Sequence, residues 1–393
     1  MKLLSTTALW VLGCMNSLAQ NTAGDNILPF VYHGHIYLQT TINDHVHANT
    51  LFDTGASNMF GIDSVALAQS DWRPQKVGKA RAGGAAGSTM VRVIADGTKV
   101  QMGSIVQRYQ IVPVFKLRDI VDRYLDAIWG IKDISEYALE INFEKRYLKQ
   151  YIHTKLCTDG YQQLPIRFKN NQIMLQAEVQ VGGKKMKGWY LMDTGSGGSV
   201  SFTSKAVKDN GLDRIAGKRY MVDMVQAGIG DKAMETLVEM MSDHIQIGSD
   251  TMHYAAIDYV PEGVGAMGDR PYMGIIGNDV WDKFNMIIDA KNQLLYLRRY
   301  QPDKPEGKTY GYGWRNRTDI SRGWVVSTMY RSSEAQQAGV EIGDTITTIN
   351  GRDVKDYSWD EEYELRRAPR HELDIVARQG RKKHVVLEAK EYW

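Results

Sequence analysis

Two aspartates in nearly matching settings are the residues of this chain whose type and spacing could do chemistry. The first closes an apolar run in Thr50-Leu51-Phe52-Asp53-Thr54-Gly55-Ala56-Ser57-Asn58, and the second does so in Trp189-Tyr190-Leu191-Met192-Asp193-Thr194-Gly195-Ser196-Gly197. With each residue type at roughly 5–7% of positions, two such triplets arise by chance in about one chain of this length in a few hundred. A single copy reads as a strand ending in a turn, with Asp and Gly as turn formers. The apolar runs sharpen the pair, because a carboxylate at the end of a buried strand is costly unless it is hydrogen-bonded or protonated. Two carboxyls held close together cannot both ionise cheaply and so share a proton, titrating as a unit. One is then a base and the other an acid over the same pH range. A water between them could lose a proton to one as it attacks a carbonyl, while the other protonates the carbonyl oxygen. That is general acid–base hydrolysis needing no metal, cofactor or covalent intermediate. The glycine after each threonine lets the backbone turn sharply and approach its partner. Each threonine can offer a hydroxyl across the interface between the two loops.

The elements that must position this pair occur twice in the same order. The first copy has strand-like segments at Phe30–Tyr32 and His35–Ile42, the first triplet, and a short helix at Ile62–Gln69. A Gly-rich stretch around Gly83 and Gly84 reads as the tip of a mobile hairpin flap. The copy continues with a strand at Ile105–Phe115, Ile128-Trp129-Gly130, a helical turn near Asp133–Tyr137, and Leu139–Phe143 with Tyr147-Leu148. The second copy has Ile173–Val181, Gly188–Met192 with the second triplet, a helix at Ser204–Lys208, and a second hairpin tip bearing Gly228 and Gly230. It closes with strands over Ile245–Tyr259, Ile275-Ile276-Gly277, a turn at Val280–Phe284, Ile287–Asp289 and Leu294–Leu297. The triplets are 193 − 53 = 140 residues apart and the later glycines 277 − 130 = 147 apart. Asn142 and Asp289, and Leu148 and Leu295, keep the second offset. A repeat of this length means two copies of a small domain rather than a solenoid.

The 393 residues leave room for more than these two copies. Gln301–Lys308 is polar, with Pro and Gly, and reads as a linker. Beyond it lies a separate small unit with Gly323–Ser327, Ser333–Val340, Ile342–Ile346, Ile349–Val354, a helix at Asp360–Arg367 and two final strands. From Gln301 onward there are sixteen basic and sixteen acidic residues, and the net charge of the chain is +2, so nothing reads as built for nucleic acid. At the other end, Lys2, the apolar Leu3–Met15 and the small residues of Ser17-Leu18-Ala19 read as a secretory signal cut before Gln20. Export to the periplasm or outside the cell is therefore expected. Lipid attachment at Cys14 is the alternative, since Val11-Leu12-Gly13-Cys14 resembles a bacterial lipoprotein box. The apolar part is too short for a stable membrane span. Cys157 is the one cysteine beyond the signal, so no intrachain disulfide is expected after simple cleavage.

Residues 28–300 resemble an aspartic protease of the retropepsin/pepsin clan with both lobes in one chain. The resemblance is carried by Phe52-Asp53-Thr54-Gly55-Ala56-Ser57, Met192-Asp193-Thr194-Gly195-Ser196, Ile128-Trp129-Gly130 and Ile275-Ile276-Gly277. It implies a mostly β, two-lobed acid protease fold with the site between the lobes and flaps above it. Asp53 and Asp193 would be the catalytic dyad, and Thr54, Gly55, Thr194, Gly195 and Ser196 its support. No tyrosine stands beside Gly83 and Gly84, so a Gly-bearing flap in each lobe fits the retropepsin pattern better than the pepsin one. Only Ser196 could give a hydroxyl to its aspartate, since Ala56 stands at the matching place. Asp193 is therefore expected to ionise more readily and Asp53 to hold the proton. The tail resembles a small α+β PDZ domain of the bacterial protease-associated kind. Tyr312, Gly313 and Trp314 stand where its carboxylate-binding loop would be. Such domains take a peptide end as an added strand; a packing module that binds no peptide is the alternative. The expected organisation is a signal at 1–19, lobes at 20–155 and 156–300, a linker at 301–309 and a PDZ domain at 310–393.

The expected activity is endopeptidase action on extended polypeptide, with a possible C-terminal peptide ligand at the tail. One chain supplies both aspartates, so a dimer is not required for the chemistry. A non-catalytic peptide-binding or chaperone-like protein keeping the fold is the rival reading. A zinc hydrolase using the His33/His35 and His45/His47 pairs is a third. Exposed hairpin histidines are the simpler account, because no Cys or spaced Asp/Glu completes a ligand set. The methionines of the second copy (Met221, Met224, Met234, Met240, Met241) read as core filler.

Overall fold

The computed structural model describes residues 27–391 except 58, 133, 152, 226, 227, 232, 254, 304–307 and 317–322. The expected signal, Cys14 and most of the linker lie outside the described residues. The chain is mostly β, and its two copies are built around the same crossing. In the first, Ala127–Ile131 runs parallel to Val46–Ser57, with Trp129 opposite Phe52 and Gly130 opposite Asp53. In the second, Gly274–Ile276 runs parallel to Lys184–Met192, with Ile275 opposite Leu191 and Ile276 opposite Met192. Each aspartate thus leaves its strand beside a parallel partner that comes from far along the chain. Parallel strands of this kind are covered on both faces and read as continuous apolar runs. Ala127–Ile131 is accordingly buried throughout.

The copies are joined by a shared sheet. Ala138–Asn142 pairs antiparallel with Phe284–Asp289, matching Leu139 with Ile288 and Ile141 with Met286. The differences are 288 − 141 = 147 and 286 − 139 = 147, the offset already present in the sequence. The register therefore maps onto itself when the copies are exchanged, as a local twofold requires. Ile27–Pro29 and Tyr147–Tyr151 extend the sheet on one side, and Leu294–Arg299 and Gln162–Lys169 on the other.

The short helices begin where caps put them. Asp63 accepts hydrogen bonds from the Val65 and Ala66 N–H groups, so the first helix is Ser64–Gln69, and Ile62 and Asp63 finish the strand Phe60–Asp63. Thr203 caps Ser204–Asn210, which ends at Gly211 in the left-handed region. Around Ile134–Tyr137 the chain forms turns and bends rather than helix, and the later helical segment is Asn278–Trp281, not Val280–Phe284.

The tail has its own core, in which Trp324, Val326, Ile346 and Leu373 are buried. Its helix Trp359–Leu365 starts at a capping box made by Ser358 and Glu361. It is not detached as expected. Its strand Trp324–Tyr330 pairs antiparallel with Arg219–Val225 of the second copy, matching Val222 with Tyr330 and Met224 with Thr328. Arg331 adds a forked bond to Asp223 at 2.9 and 2.8 Å. Tyr330 donates to Glu239. Among the described residues, no helix is long and apolar enough to cross a membrane.

Candidate active site

Asp53 and Asp193 come together at the seam between the copies, half-buried, with their carboxyls hydrogen-bonded to each other. The glycines explain the approach. A Cβ on Gly55 would stand 2.5 Å from Asp193 Cγ, and one on Gly195 would stand 2.4 Å from Asp53 Cγ. Any side chain at either place would displace the opposite carboxyl. Below the pair, the threonines lock the loops reciprocally. Thr54 N–H donates to Thr194 Oγ1 at 3.0 Å, and Thr194 N–H donates to Thr54 Oγ1 at 2.9 Å. Each hydroxyl donates onward to a carbonyl of the other copy, Thr54 to Met192 and Thr194 to Phe52, both at 2.9 Å. These buried bonds tie main-chain groups of each loop to the threonine of the other. Asn278, just past Ile275-Ile276-Gly277, donates to the Thr194 and Gly34 carbonyls and ties the second loop to the first copy.

The two carboxyls differ in the direction opposite to the expected one. Asp53 Oδ1 accepts from the Gly55 and Ala56 N–H groups at 2.7 and 2.9 Å. Asp193 Oδ1 accepts from Gly195 N–H at 2.8 Å. Ser196 faces Asp193 with its backbone N–H, while its hydroxyl lies against Gly277, where a Cβ would come within 2.8 Å of it. Burial raises both carboxyls. Asp193 is raised much further, because the charge on Asp53 opposes a second charge beside it. Of the two carboxyls, Asp193 is thus the less readily ionised.

The dyad lines a cleft of about 1750 Å3 together with the tips of two hairpins. Val77–Gly84 pairs with Gly87–Ile94, and Arg219–Val225 with Met234–Met241. Gly83, Gly84, Gly228 and Gly230 all lie at or next to these tips, and the tips touch. Ala86 N–H donates to the Ile229 carbonyl and Asp231 N–H to the Ala86 carbonyl, both at 3.1 Å, with Ala86 and Gly230 forming a parallel bridge. A Cβ on Gly230 would stand 1.9 Å from the Ala86 oxygen, so the contact needs glycine there.

The cleft also holds residues to which the sequence reading gave no place in it. His35 is half-buried with its ring against Gly197 and a hydrogen bond to the Gly195 backbone; desolvation pushes its imidazole down to about 4. Asp258 lines the cleft, accepts from Ser201 Oγ at 2.9 Å, and is pushed up to about 6 by burial. Its signal was present: an aspartate inside the apolar run Ala255–Val260, the feature that marked Asp53. Tyr37 donates to Asp122 at 2.5 Å beside the same cleft. Met224 lines the cleft, Met234 is exposed and Met240 is buried, so the methionines are not uniformly core.

The expected carboxylate-binding loop is a strand. Tyr312–Arg315 pairs with Trp324–Tyr330, and the turn falls at Gly311, which has positive φ. Tyr312 is buried with its hydroxyl 2.8 Å from His371 Nδ1, and Trp314 stacks on Trp324 at 5.7 Å. The histidine pairs do not converge. His33 meets Asp360 at 2.8 Å and His47 reaches Thr41 at 3.4 Å, across a strand about 20 Å long. Among the described residues no group of His, Cys, Asp and Glu is placed to hold a metal. Cys157 is free and exposed.

No protein-family profile matches the chain, and no curated protein matches it. Among solved structures, the aspartic proteinase from Irpex lacteus is similar over 71% of this chain and 98% of that one, at 12% identity and a TM-score of 0.43. At that level the similarity adds nothing to the geometry.

Proposed function

We propose that this chain is an aspartic-type endopeptidase. The observation that carries the reading is the half-buried Asp53–Asp193 pair, sharing a hydrogen bond and braced from below by Thr54 and Thr194. Asp53, the less strongly raised of the two carboxyls, takes a proton from the attacking water. Asp193, kept protonated by its neighbour's charge, gives its proton to the carbonyl oxygen of the scissile bond. As the C–N bond breaks, the proton on Asp53 passes to the leaving amine and a hydroxyl of the gem-diol returns its proton to Asp193, so the pair regains its starting state. The roll of cleft-lining glycines suits an extended main chain lying close to protein backbone. The tips of the two hairpins must part for such a chain to enter, and one main-chain bridge between them is a small barrier.

We further propose that the protein is exported, to the periplasm or beyond the cell, with simple signal cleavage favoured over attachment at Cys14. The tail is a PDZ-like module. Its contacts with Arg219–Val225 support a role in governing access to the cleft over one as a freely tethered recruiting domain.

The reading is tested by incubating the chain with a diverse peptide mixture between about pH 3 and pH 8, a range that brackets titration of a carboxyl pair. A statine-type inhibitor and a chelator are run alongside. The expected result is cleavage that the inhibitor blocks and the chelator leaves intact. Absence of cleavage across the range would favour a peptide-binding protein, and loss of cleavage with chelator would favour a metal-dependent hydrolase.

A further inference from the structure

The C-terminal module contributes a side chain to the cleft of the two lobes. Trp359 opens the helix Trp359–Leu365, lines the cleft, and is packed against lobe 1 rather than its own module's core. Its ring stacks on Tyr124 at 4.8 Å and meets Tyr37 edge-on at 4.6 Å. Together with Leu51, Leu117, Leu125 and Ile128 it encloses an apolar basin. Leu51 lies two residues before Asp53 on the same strand, so the basin opens beside the reacting carboxyls.

The indole is fixed there from two directions. Asp360, the next residue, meets His33 of lobe 1 at 2.8 Å. On the opposite lobe, the Trp324–Tyr330 pairing and the Arg331–Asp223 fork hold the module to the second hairpin. A wall anchored at both ends sets the size of a pocket more firmly than a surface side chain does.

We propose that Trp359 is a specificity-determining residue: it forms the outer wall of a subsite that takes one apolar substrate side chain of limited size. The proposal rests on the hydrolase reading above and extends it by assigning part of the substrate pocket to the tail. Shortening the indole deepens the basin, which favours bulky side chains and loosens the grip on small ones. Discrimination by an apolar pocket of this kind changes by roughly 10–200-fold for a methylene or more of misfit.

The test uses the full chain, with peptides varied at each position flanking the cleaved bond from small aliphatic to large aromatic. Trp359→Ala, Trp359→Phe and Arg331→Ala are compared by kcat/KM. The expected result is a swing of about tenfold or more toward large side chains at one position in Trp359→Ala. Trp359→Phe falls between it and the unsubstituted chain, and Arg331→Ala, which loosens one anchor but keeps the indole, shifts the preference far less than Trp359→Ala. Should Trp359→Ala fail to fold, Trp359→Phe carries the comparison. An unchanged preference in active Trp359 variants would overturn the proposal while leaving the hydrolase reading intact. The same swing in Arg331→Ala would overturn it too, by tracing the effect to loosening of the module. No cleavage by the unsubstituted chain would instead overturn the hydrolase reading beneath it.

Discussion

At the scale of single residues, the account turns on which atoms face the two carboxyls. Thr54 shows how little slack the seam has. Its hydroxyl accepts one N–H and donates to one carbonyl, both from the other copy. Thr54→Val keeps the shape and removes both bonds, leaving two buried main-chain groups unpaired at about 1–3 kcal/mol each. The expected outcome is a lower melting temperature together with reduced turnover, read by thermal unfolding and peptide cleavage. The triplets made the dyad and its brace legible, because Asp, Thr and Gly at that spacing have few other uses in a buried loop. They did not make the proton's position legible. Ser196 stands where a hydroxyl donor was expected, but packing against Gly277 turns that hydroxyl away, and contact with a residue eighty-one positions later (277 − 196 = 81) is not written in the spacing. His35, read as one of a hairpin pair, is likewise set by the loop of the other copy that covers it.

At the scale of elements, the hairpins and the tail helix are the parts that border the cleft. Glycines marked both hairpin tips, yet the bridge between Ala86 and Gly230 uses main-chain groups, which leave no trace in side-chain pattern. Tyr312–Arg315 was expected to be a loop through the resemblance of the tail to a PDZ domain, and it is a strand. The alternation of buried Tyr312 and Trp314 about a less buried Gly313 was the better guide. The helix Trp359–Leu365 carries a pH dependence of its own. Glu362 is buried on it, accepts from Trp314 Nε1 and Asn316 Nδ2, and sits near Arg366, Asp122 and Arg123. Burial pushes its carboxyl up to about 7 from the usual 4.5. The packed state therefore favours the protonated form. This contribution is fully present below about pH 4.5, declines as the pH rises, and is lost by about pH 7. Glu362→Gln should flatten that decline. Thermal unfolding or hydrogen exchange of the tail from pH 4 to 8 reads the difference, and an equal slope in both proteins would remove Glu362 as its source.

At the scale of the whole molecule, two copies share one sheet and a third unit closes over them. The duplication was legible because the 147-residue offset survives in the register of the shared sheet. The docking of the tail was not, since an edge strand accepts a partner through backbone groups that any sequence possesses. Removing residues 301–393 exposes the outer edge of Arg219–Val225 and strips Trp359 from the cleft. The expected outcome is faster hydrogen exchange confined to the Arg219–Met241 hairpin, with the shared sheet at Ala138–Asn142 unchanged, and a tendency to self-associate through the bared edge. Exchange that rises evenly across both lobes would mean that the tail supports the fold as a whole rather than that hairpin.

The central claim is that Asp53 and Asp193 together activate water, and replacing each in turn tests it most directly. Asp53→Asn removes the base and Asp193→Asn removes the proton donor, while both keep the size of the side chain. Peptide turnover is measured alongside the affinity for a statine-type inhibitor. The account predicts that turnover falls by at least about a hundredfold in each variant, the scale of a lost general acid or base, while peptide-sized ligands still bind. Turnover retained in either variant, in a protein that folds and binds as before, would contradict it.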